Sequence, residues 1–427
     1  MKLVVTIFEE TPERAIDVIS ALSSDHDAVE LRADAFGGRA VDWRAVRAAT
    51  TRPIIATNRG AGHVDIEAAI GAGIDFVDVE WGSEIPTAHR GRIILSHHDY
   101  EGMPDAETLL GELRGPGCAH VKLAVTPGEF ADNARLLALL DGESGLTVIG
   151  MGKRGLYARI LAPFFGSAMQ FVSVDEARSA APGQLALERA LPIYGERREG
   201  LRAGMLFAIV GNPAGHSRSP AIHNIIFRER GIAAAYGIFE TDDFLDIAEP
   251  FARGQRFAPA GLSITAPFKE EALAFAHRIG AEIAPNAVEA GAVNTLVRID
   301  GRILADNTDV DGFAALIEQT SARNAAVVGA GGTARAAIVA LHRAGSEVTV
   351  FNRTSGKLNA QPLESLASWR GDLLINTLPA NVAIAMPSAG TIIEAAYGRE
   401  SQADFTGLDL LRAQAVRQST LFLEACT

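Results

Sequence analysis

Eight short apolar runs, separated by helix-like segments, occupy the first 195 residues of this 427-residue chain. The runs are Leu3–Phe8, Ala28–Arg32, Ile54–Arg59, Phe76–Trp81, Ile93–His98, His120–Val125, Leu146–Met151 and Met169–Val174. Amphipathic stretches such as TPERAIDVISALSS lie between them. Regular alternation of strand and helix patterns favours an α/β fold with parallel strands, and eight repeats predict a (β/α)8 barrel over residues 1–195.

The chain changes character after the eighth repeat. Residues 196–204 are charged, glycine-bearing and without periodicity, which predicts a linker. Strand, turn and helix patterns then return in a different arrangement. We predict a substrate-binding lobe over residues 205–311, completed by a C-terminal helix over 407–427, and a Rossmann-type nucleotide-binding lobe over 312–406.

Charge and cysteine content limit the possible partners. The net charge of −13 argues against a nucleic-acid or anionic-membrane surface, although a local arginine cluster could still bind an anionic small molecule. Cys118 and Cys426 cannot form a disulfide framework, and no Cys/His spacing indicates zinc. Without the apolar segment of a signal peptide or a bilayer-length apolar run, we expect a cytoplasmic protein with small-molecule substrates, no membrane and no metal. The sequence does not indicate an oligomeric state.

Polar side chains lie at the ends of the predicted barrel strands, where such barrels place their active sites. Lys122 stands between valine and leucine in HVKLAV, and a buried lysine is costly unless it is used. Desolvation lowers the pKa of an amine, and a free amine attacks carbonyls to form an imine. His98, in ILSHHDY, could move protons nearby, and arginines at other strand ends suit a carboxylate. Together these residues predict imine chemistry on an anionic carbonyl compound.

Each of these residues also has a simpler explanation. A strand lysine is more often an edge residue or a salt-bridge partner, and a lone HHD sequence is more often a solvated turn. Metal binding by His97 and His98 is disfavoured because adjacent strand residues point to opposite faces. The coincidence of these residues on successive strands favours the catalytic interpretation.

The motifs VELRAD, ILSHHDY, HVKLAVTP and SAAPGQ resemble type I 3-dehydroquinate dehydratase over essentially the whole first half. The resemblance implies that Lys122 forms an imine with the substrate ketone and that His98 is the acid/base. It also implies substrate binding by Glu30, Arg32, Arg59, Arg159 and Gln184. Two positions depart from the family pattern: His63 replaces a glutamate that orients the histidine, and Ala180 replaces a serine or threonine. Glu80 and Asp65 are candidates to replace the missing acid.

A glycine-rich turn in the second half, VVGAGGTARAA, follows a strand pattern and opens a helix. This context predicts a dinucleotide site, in which a pyrophosphate approaches the backbone at a helix N-terminus. Arg353 follows the next strand, where NAD enzymes usually have an acid. It suits a 2′-phosphate and predicts NADP, although it could also be a solvated arginine at a strand end. The predicted cofactor-binding residues are Gly329, Gly331, Gly332, Thr333, Ala334, Asn352, Arg353 and Thr354.

Four further motifs precede this turn: GNPAGHSRSPAIHN, GLSITAPFKE, GAVNT and DNTDVDGF. Lys269 and Asp309 are a plausible pair for moving a hydroxyl proton while hydride moves to nicotinamide. Taken singly, SRSP could be a helix cap, Lys269 a surface lysine and Asp309 a turn residue.

Together the second-half motifs resemble shikimate dehydrogenase across Leu206–Thr427. The resemblance implies that Lys269 and Asp309 form the catalytic pair. It also implies shikimate binding by Ser217, Ser219, Thr265, Asn294, Thr308 and Gln414, with Tyr397 nearby. Ser263 stands where asparagine is commonest, and INTLPANVAIAMP departs from the usual stretch near the nicotinamide.

The two resemblances imply consecutive reactions. The sequence therefore predicts a bifunctional enzyme that dehydrates 3-dehydroquinate to 3-dehydroshikimate and reduces this ketone to shikimate with NADPH. One alternative is a monofunctional dehydrogenase whose degenerate barrel is a scaffold. A second is a quinate or shikimate oxidoreductase that works in the catabolic direction.

Overall fold

The computed structural model describes residues 1–59, 64–354, 356–382, 384, 387–396 and 403–426. The chain divides into two compact units. The first comprises Met1–Leu206, Gly215–Thr241 and Arg256–Ala258, and the second comprises Phe207–Ala214, Asp242–Gln255 and Pro259–Thr427. The functional boundaries drawn from the sequence remain predictions.

Eight parallel strands form the barrel of the first unit. They are β1 (Lys2–Ile7), β2 (Ala28–Arg32), β3 (Ile54–Thr57), β4 (Phe76–Glu80), β5 (Ile93–Asp99), β6 (His120–Val125), β7 (Leu146–Gly150) and β8 (Met169–Ser173). Their order is β7-β6-β5-β4-β3-β2-β1-β8. The strands at the two ends of this order, β7 and β8, also approach each other. Ala168, directly before β8, donates its nitrogen to the oxygen of Leu146 in β7 at 2.8 Å, so the sheet curls almost closed. The predicted barrel is confirmed, and each strand matches its apolar run to within two residues.

A helical segment follows each strand. The α-helices are α1 (Pro12–Ala21), α2 (Trp43–Ala48), α3 (Ile66–Gly71), α4 (Ala106–Arg114), α5 (Phe130–Ala138), α6 (Leu156–Leu161) and α7 (Leu187–Tyr194), and the 3-10 helix Thr87–Arg92 connects β4 to β5. Further 3-10 helices span Ala33–Phe36, Ala162–Phe165 and Glu176–Arg178. Side-chain caps fix several helix starts: Thr11 accepts from the Arg14 nitrogen, and Asp105 from the Thr108 nitrogen.

The barrel strands carry both apolar and polar buried side chains. Val4, Ala28, Ile55, Ile94 and Ala124 belong to one buried cluster inside it. Polar side chains that are also buried lie on the same strands: Thr6, Glu30, Thr57, Asp78, Ser96 and Lys122. The buried polar side chains therefore lie within the strands, beside a core of small and branched residues.

The chain continues into β9 (Met205–Gly211), α8 (Ser219–Glu229) and β10 (Ala234–Glu240). Helix α8 and strand β10 belong to the first unit. A Cβ atom on Gly237 would meet the Leu161 side chain at 3.2 Å, so β10 packs closely on α6. Asn224 of α8 bonds to both backbone groups of Tyr236 in β10, at 2.9 and 3.0 Å.

The first sheet of the second unit includes β9 from Phe207 onward. The unit adds α9 (Leu245–Arg253), β11 (Gly261–Ile264), α10 (Lys269–Arg278), β12 (Glu282–Ile283), α11 (Pro285–Ala290), β13 (Thr295–Ile299), β14 (Arg302–Asp306) and α12 (Asp309–Ile317). Within this unit the strand order is β9-β11-β13-β14-β12. Strand β13 is antiparallel to both neighbours, whereas β9 with β11 and β12 with β14 are parallel.

A second, parallel sheet follows. Its elements are β15 (Asn324–Val328), α13 (Gly332–Arg343), β16 (Glu347–Asn352), β17 (Gln361–Pro362), β18 (Gly371–Asn376) and β19 (Ala389–Glu394), with 3-10 helices Lys357–Asn359 and Leu363–Ser368. The order β17-β16-β15-β18-β19 is that of a nucleotide-binding half-sheet. The last helix, α14 (Gly407–Glu424), starts with a capping box of Thr406 and Asp409. None of the helices in the described residues is long and apolar enough to cross a membrane.

Candidate active sites

Lys122 is the third residue of β6 and is buried, with 3% of its surface exposed. Its Nζ atom contacts the Asp78 carboxylate and lies 3.7 Å from Glu30 Oε1 and 4.4 Å from the centre of the Phe171 ring. Burial lowers the pKa of the Lys122 amine, and Asp78 opposes that shift. A buried amine with a lowered pKa is suited to attack a carbonyl carbon.

Glu80 of β4 holds His98 at the end of β5. The Oε2 atom of Glu80 lies 2.8 Å from His98 Nδ1, and Oε1 accepts from the His98 backbone nitrogen at 2.9 Å. A carboxylate can only accept, so Nδ1 carries the proton of the neutral ring and Nε2 is left as the basic nitrogen. Burial lowers the pKa of His98 to about 4, and the bond to Glu80 opposes this shift.

Two buried arginines supply positive charge to the same cavity. Arg59 Nη2 lies 2.6 Å from Asp78 Oδ2, and Nη1 donates to Ser96 Oγ at 3.0 Å. Arg159 Nε donates to the Gly150 oxygen at 3.1 Å, but its buried Nη1 has no hydrogen-bond partner among the described residues. Burial lowers the pKa of Arg159 to about 10, so it remains a cation at neutral pH. A buried, unsatisfied guanidinium N–H is suited to a ligand carboxylate.

Hydrogen bonds fix the remaining predicted residues of the barrel. Thr6 Oγ1 donates to Glu30 Oε2 at 2.8 Å and accepts from Gln184 Nε2 at 3.0 Å. Arg32 donates twice to Asp34, at 2.9 and 2.7 Å. All seven residues predicted for this site line one cavity: Glu30, Arg32, Arg59, His98, Lys122, Arg159 and Gln184.

A second lysine-centred cluster lies in the second unit. Lys269 begins α10, and its Nζ atom donates to Asp309 Oδ2 at the start of α12 and to Thr333 Oγ1 at 2.9 Å. Asn294 Nδ2 donates to the other oxygen of Asp309 at 2.9 Å. A lysine and a carboxylate in contact can hold and pass a proton, so this geometry suits acid/base work on a hydroxyl or carbonyl group.

The C-terminal helix reaches this cluster through Gln414. Its Oε1 atom accepts from Thr308 Oγ1 at 2.8 Å. A Cβ atom at Gly312 of α12 would meet the Cβ of Gln414 at 2.8 Å, so only glycine permits this approach of the two helices. Thr265 follows β11, where its nitrogen donates to the Val210 oxygen at 2.9 Å.

The glycine turn between β15 and α13 borders a cavity of about 480 Å³. Gly329 has φ 113°, and a Cβ there would collide with the Thr377 side chain. The cavity is lined by predicted cofactor residues and by two lysines: Gly329, Gly331, Gly332, Thr333, Ala334, Asn352, Thr354, Lys269 and Lys357. Arg353 is exposed. A glycine turn at the start of a twelve-residue helix fits a dinucleotide.

Three further residues were predicted to bind shikimate. Ser217 and Ser219 belong to the first unit, where the Ser219 nitrogen donates to Ser217 Oγ at 3.2 Å at the start of α8. Tyr397 lies outside the described residues. No group of three or more His, Cys, Asp or Glu side chains within the described ranges could hold a metal ion.

Family models match both parts of the chain. A model described as type I 3-dehydroquinase matches residues 3–200, and one described as the shikimate dehydrogenase substrate binding domain matches residues 209–296. Together the two matches cover well over half of the chain. The chain belongs to the type I 3-dehydroquinase and shikimate dehydrogenase families.

Curated relatives of this chain are longer than the part that matches. The chain is 31% identical over 317 residues to the bifunctional 3-dehydroquinate dehydratase/shikimate dehydrogenase, chloroplastic, of Arabidopsis thaliana. This match covers 67% of the present chain and 51% of the Arabidopsis protein. It is also 31% identical over 316 residues to the pentafunctional AROM polypeptide of Komagataella phaffii, and this match covers 68% of the present chain and 20% of the relative. The chain thus spans about half the length, or less, of these curated relatives. Shikimate 5-dehydrogenase from Thermus thermophilus, solved in complex with shikimate, is 31% identical over 51% of this chain and 92% of that chain, with a TM-score of 0.44.

The resemblance to 3-dehydroquinase implies two departures from the family pattern, at His63 and at Ala180. His63 lies outside the described residues. Of the two candidates to replace the missing acid, Glu80 contacts His98, whereas Asp65 accepts from the Ala68 nitrogen and caps α3. Ala180 lines the cavity and donates its backbone nitrogen to Gln184 Oε1 at 2.9 Å.

Asp78 belongs to the same barrel site, although the sequence analysis assigned it no role. Its carboxylate is buried between Lys122 and Arg59, and Ser96 Oγ donates to it at 2.5 Å. Burial alone would raise the pKa of Asp78, but Arg59 and Lys122 hold it well below its usual range. Its signal in the sequence was an aspartate inside the apolar run FVDVE, which is as unusual there as the lysine of HVKLAV.

Proposed function

We propose that this chain is a bifunctional enzyme that dehydrates 3-dehydroquinate to 3-dehydroshikimate and reduces 3-dehydroshikimate to shikimate with NADPH. The observation that carries the proposal is the presence of two separate lysine-centred sites with complementary chemistry. Lys122 is buried with His98 in one cavity, and Lys269 contacts Asp309 beside a glycine-rich turn.

The barrel supplies an amine, a base and cations for the dehydration. The Lys122 nitrogen attacks the ketone carbon, and loss of the ketone oxygen as water leaves an imine. The imine withdraws electrons from the neighbouring carbon, so that its proton can pass to His98 Nε2. The same proton then leaves with the substrate hydroxyl as water, and hydrolysis of the imine releases the product ketone and Lys122.

The other side chains of the barrel bind and orient. Arg159 offers an unsatisfied guanidinium N–H to the substrate carboxylate, with Arg59 adding positive charge. Glu30, Arg32 and Gln184 hold the substrate hydroxyls and close the cavity. Glu80 keeps His98 in the tautomer that leaves Nε2 free to take the proton.

The second unit supplies a proton while a nicotinamide cofactor, when bound, supplies hydride to the ketone carbon. Lys269 and Asp309 stand as the pair that gives the ketone oxygen its proton, and Asn294 orients Asp309. The proposed shikimate-binding residues are Thr265, Asn294, Thr308, Gln414, Ser217, Ser219 and Tyr397.

NADP is the proposed cofactor. Gly329, Gly331 and Gly332 let the pyrophosphate approach the backbone at the start of α13. Asn352 and Thr354 line the cavity and Arg353 between them is exposed, and none of the three is the acidic residue that would hold a free ribose hydroxyl. The ratio of kcat/KM with NADPH and with NADH measures this preference.

The proposed lobes keep the predicted boundaries: barrel 1–195, linker 196–204, substrate lobe 205–311 with 407–427, and nucleotide lobe 312–406. The free thiols Cys118 and Cys426 are consistent with a reducing compartment, and we propose the cytoplasm.

Separate assays test the two activities of the purified chain. Formation of the conjugated ketone from 3-dehydroquinate is followed by ultraviolet absorbance, and oxidation of NADPH is followed with 3-dehydroshikimate. Dehydration without reduction, or reduction without dehydration, would reject a bifunctional enzyme. The alternative of a scaffold barrel predicts the second of these results, but the contact between Glu80 and His98 argues for a working site.

A further inference from the structure

The C-terminal helix approaches the reduction site at two positions, one helical turn apart. Gln418 follows Gln414 by four residues and therefore lies on the same face of α14. Its Oε1 atom accepts from Ser263 Oγ at 2.8 Å, and its Nε2 atom donates to Thr295 Oγ1 at 2.7 Å. Gln418 is 1% exposed, and the proposed function gives it no role.

The hydrogen bonds continue from Thr295 to the Lys269–Asp309 pair. Thr295 Oγ1 donates to Asn294 Oδ1 at 2.8 Å, and the Thr308 nitrogen donates to the same oxygen at 2.8 Å. Asn294 Nδ2 donates to Asp309 Oδ1 at 2.9 Å. All these side chains are buried, so water cannot replace the bonds at low cost.

The bonds of this series share one consistent arrangement of donors and acceptors. A backbone N–H only donates and a carboxylate only accepts, so the Asn294 amide turns its oxygen to Thr308 and its nitrogen to Asp309. In this arrangement Thr295 gives its proton to Asn294 and accepts from Gln418 Nε2. The Gln418 oxygen then accepts the Ser263 proton.

We propose that Gln418 is a positioning residue of the reduction site. It keeps the Thr295 hydroxyl directed at Asn294, and Asn294 in turn is held against Asp309. The inference rests on the proposed function, because Asn294 is one of the proposed substrate-binding residues. Hydrogen bonds link Gln418 to Asp309 through Thr295 and Asn294, so the loss of Gln418 should weaken substrate binding through Asn294 and leave the nucleotide cavity unchanged.

Four variants test this assignment. Gln418→Met keeps the side-chain length without the amide, and Thr295→Val keeps the volume without the hydroxyl. Thr295→Ser keeps the hydroxyl. Thr420→Val is a control on the same helix, because the Thr420 hydroxyl bonds to the Val416 oxygen of the helix backbone.

We expect the KM for 3-dehydroshikimate to rise about tenfold in Gln418→Met and in Thr295→Val, the effect of one buried hydrogen bond. It should stay within about twofold of wild type in Thr295→Ser and Thr420→Val, and the KM for NADPH should change in none of them. Because the two bonds act in series, the double variant Gln418→Met/Thr295→Val should lose about as much as either single variant.

A merely structural role for Gln418 would lower kcat and thermal stability and leave both KM values unchanged, and that result would overturn the proposal. Losses that multiply in the double variant would also overturn it. If the wild-type chain does not reduce 3-dehydroshikimate, the proposed function is wrong, whatever the role of Gln418. The free energies of unfolding of the same variants still test the connection, since additive losses would show that Gln418 and Thr295 act independently.

Discussion

Both carboxylate oxygens of Glu80 bond to His98, Oε2 to the ring Nδ1 at 2.8 Å and Oε1 to the backbone nitrogen at 2.9 Å. The two bonds fix the ring tautomer and its orientation at the same time. We propose that Glu80 takes the role of the acid that the family resemblance implies at the position of His63. The proposed base of the dehydration is therefore oriented by a residue of the rigid barrel.

Glu80→Gln should lower kcat for dehydration by about 10- to 100-fold, the usual cost of removing a carboxylate that orients a functional histidine. The amide can donate to Nδ1 as well as accept, so the tautomer is no longer fixed. Steady-state rates with 3-dehydroquinate measure the effect, and reduction of 3-dehydroshikimate should be unchanged. Glu84→Gln is the matched control, because Glu84 is exposed in the segment that follows β4. Equal losses in the two variants would contradict the assignment.

The dehydration should tolerate acid better than an ordinary histidine would allow. Burial lowers the pKa of His98 to about 4, with Arg59 and Lys122 adding to the shift and Glu80 opposing it. The neutral, basic ring therefore persists above about pH 4, and kcat/KM should fall only as the pH drops through that value. In Glu80→Gln the opposing charge is lost, so the acid limb should move to lower pH. An acid limb near the ordinary histidine pKa of about 6.5 would refute this prediction.

Substitution of the two lysines should separate the activities. Lys122→Ala should abolish dehydration and spare reduction, because only the barrel loses its nucleophile. Lys269→Ala should abolish reduction and spare dehydration. Borohydride with 3-dehydroquinate should add substrate mass to the wild-type chain and to Lys269→Ala, but not to Lys122→Ala. Dehydration that persists in Lys122→Ala would exclude the imine mechanism.

Asp78→Asn should lower the free energy of unfolding by about 3–5 kcal/mol, because it leaves the buried cations of Lys122 and Arg59 without their shared carboxylate. Urea unfolding measures the change. Glu107→Gln is the comparison, since it breaks the exposed pair with Arg135 and should cost less than about 1 kcal/mol. Similar costs for the two variants would mean that Asp78 is not an essential counter-charge.

The barrel could be predicted from the sequence because each apolar run with its polar end meets the two requirements of a barrel strand. Each run must be apolar on its core side, and each functional side chain must stand at its carboxyl end. Lys122 was found because a charge inside HVKLAV is costly without a use. The glycine turn was found because a close backbone approach permits few other residues.

Residues that act through a contact with a distant partner were harder to recognise. Gln418 carries no local signal, since its position matters only after α14 has packed against β11 and β13. Asp78 and Glu80 were visible as acids on β4, but their roles depend on the register of β4 with β5, which places Glu80 opposite Ser96. The grouping of α8 and β10 with the barrel unit also depends on packing, through Gly237 and Leu161.

One coupled assay tests the central claim most directly. The purified chain is mixed with 3-dehydroquinate and NADPH, with no other enzyme present, and oxidation of NADPH is followed. We predict steady oxidation, because the barrel converts 3-dehydroquinate into the ketone that the second unit reduces. No oxidation, together with normal oxidation when 3-dehydroshikimate is supplied instead, would contradict the account and leave a dehydrogenase with a barrel that does not dehydrate.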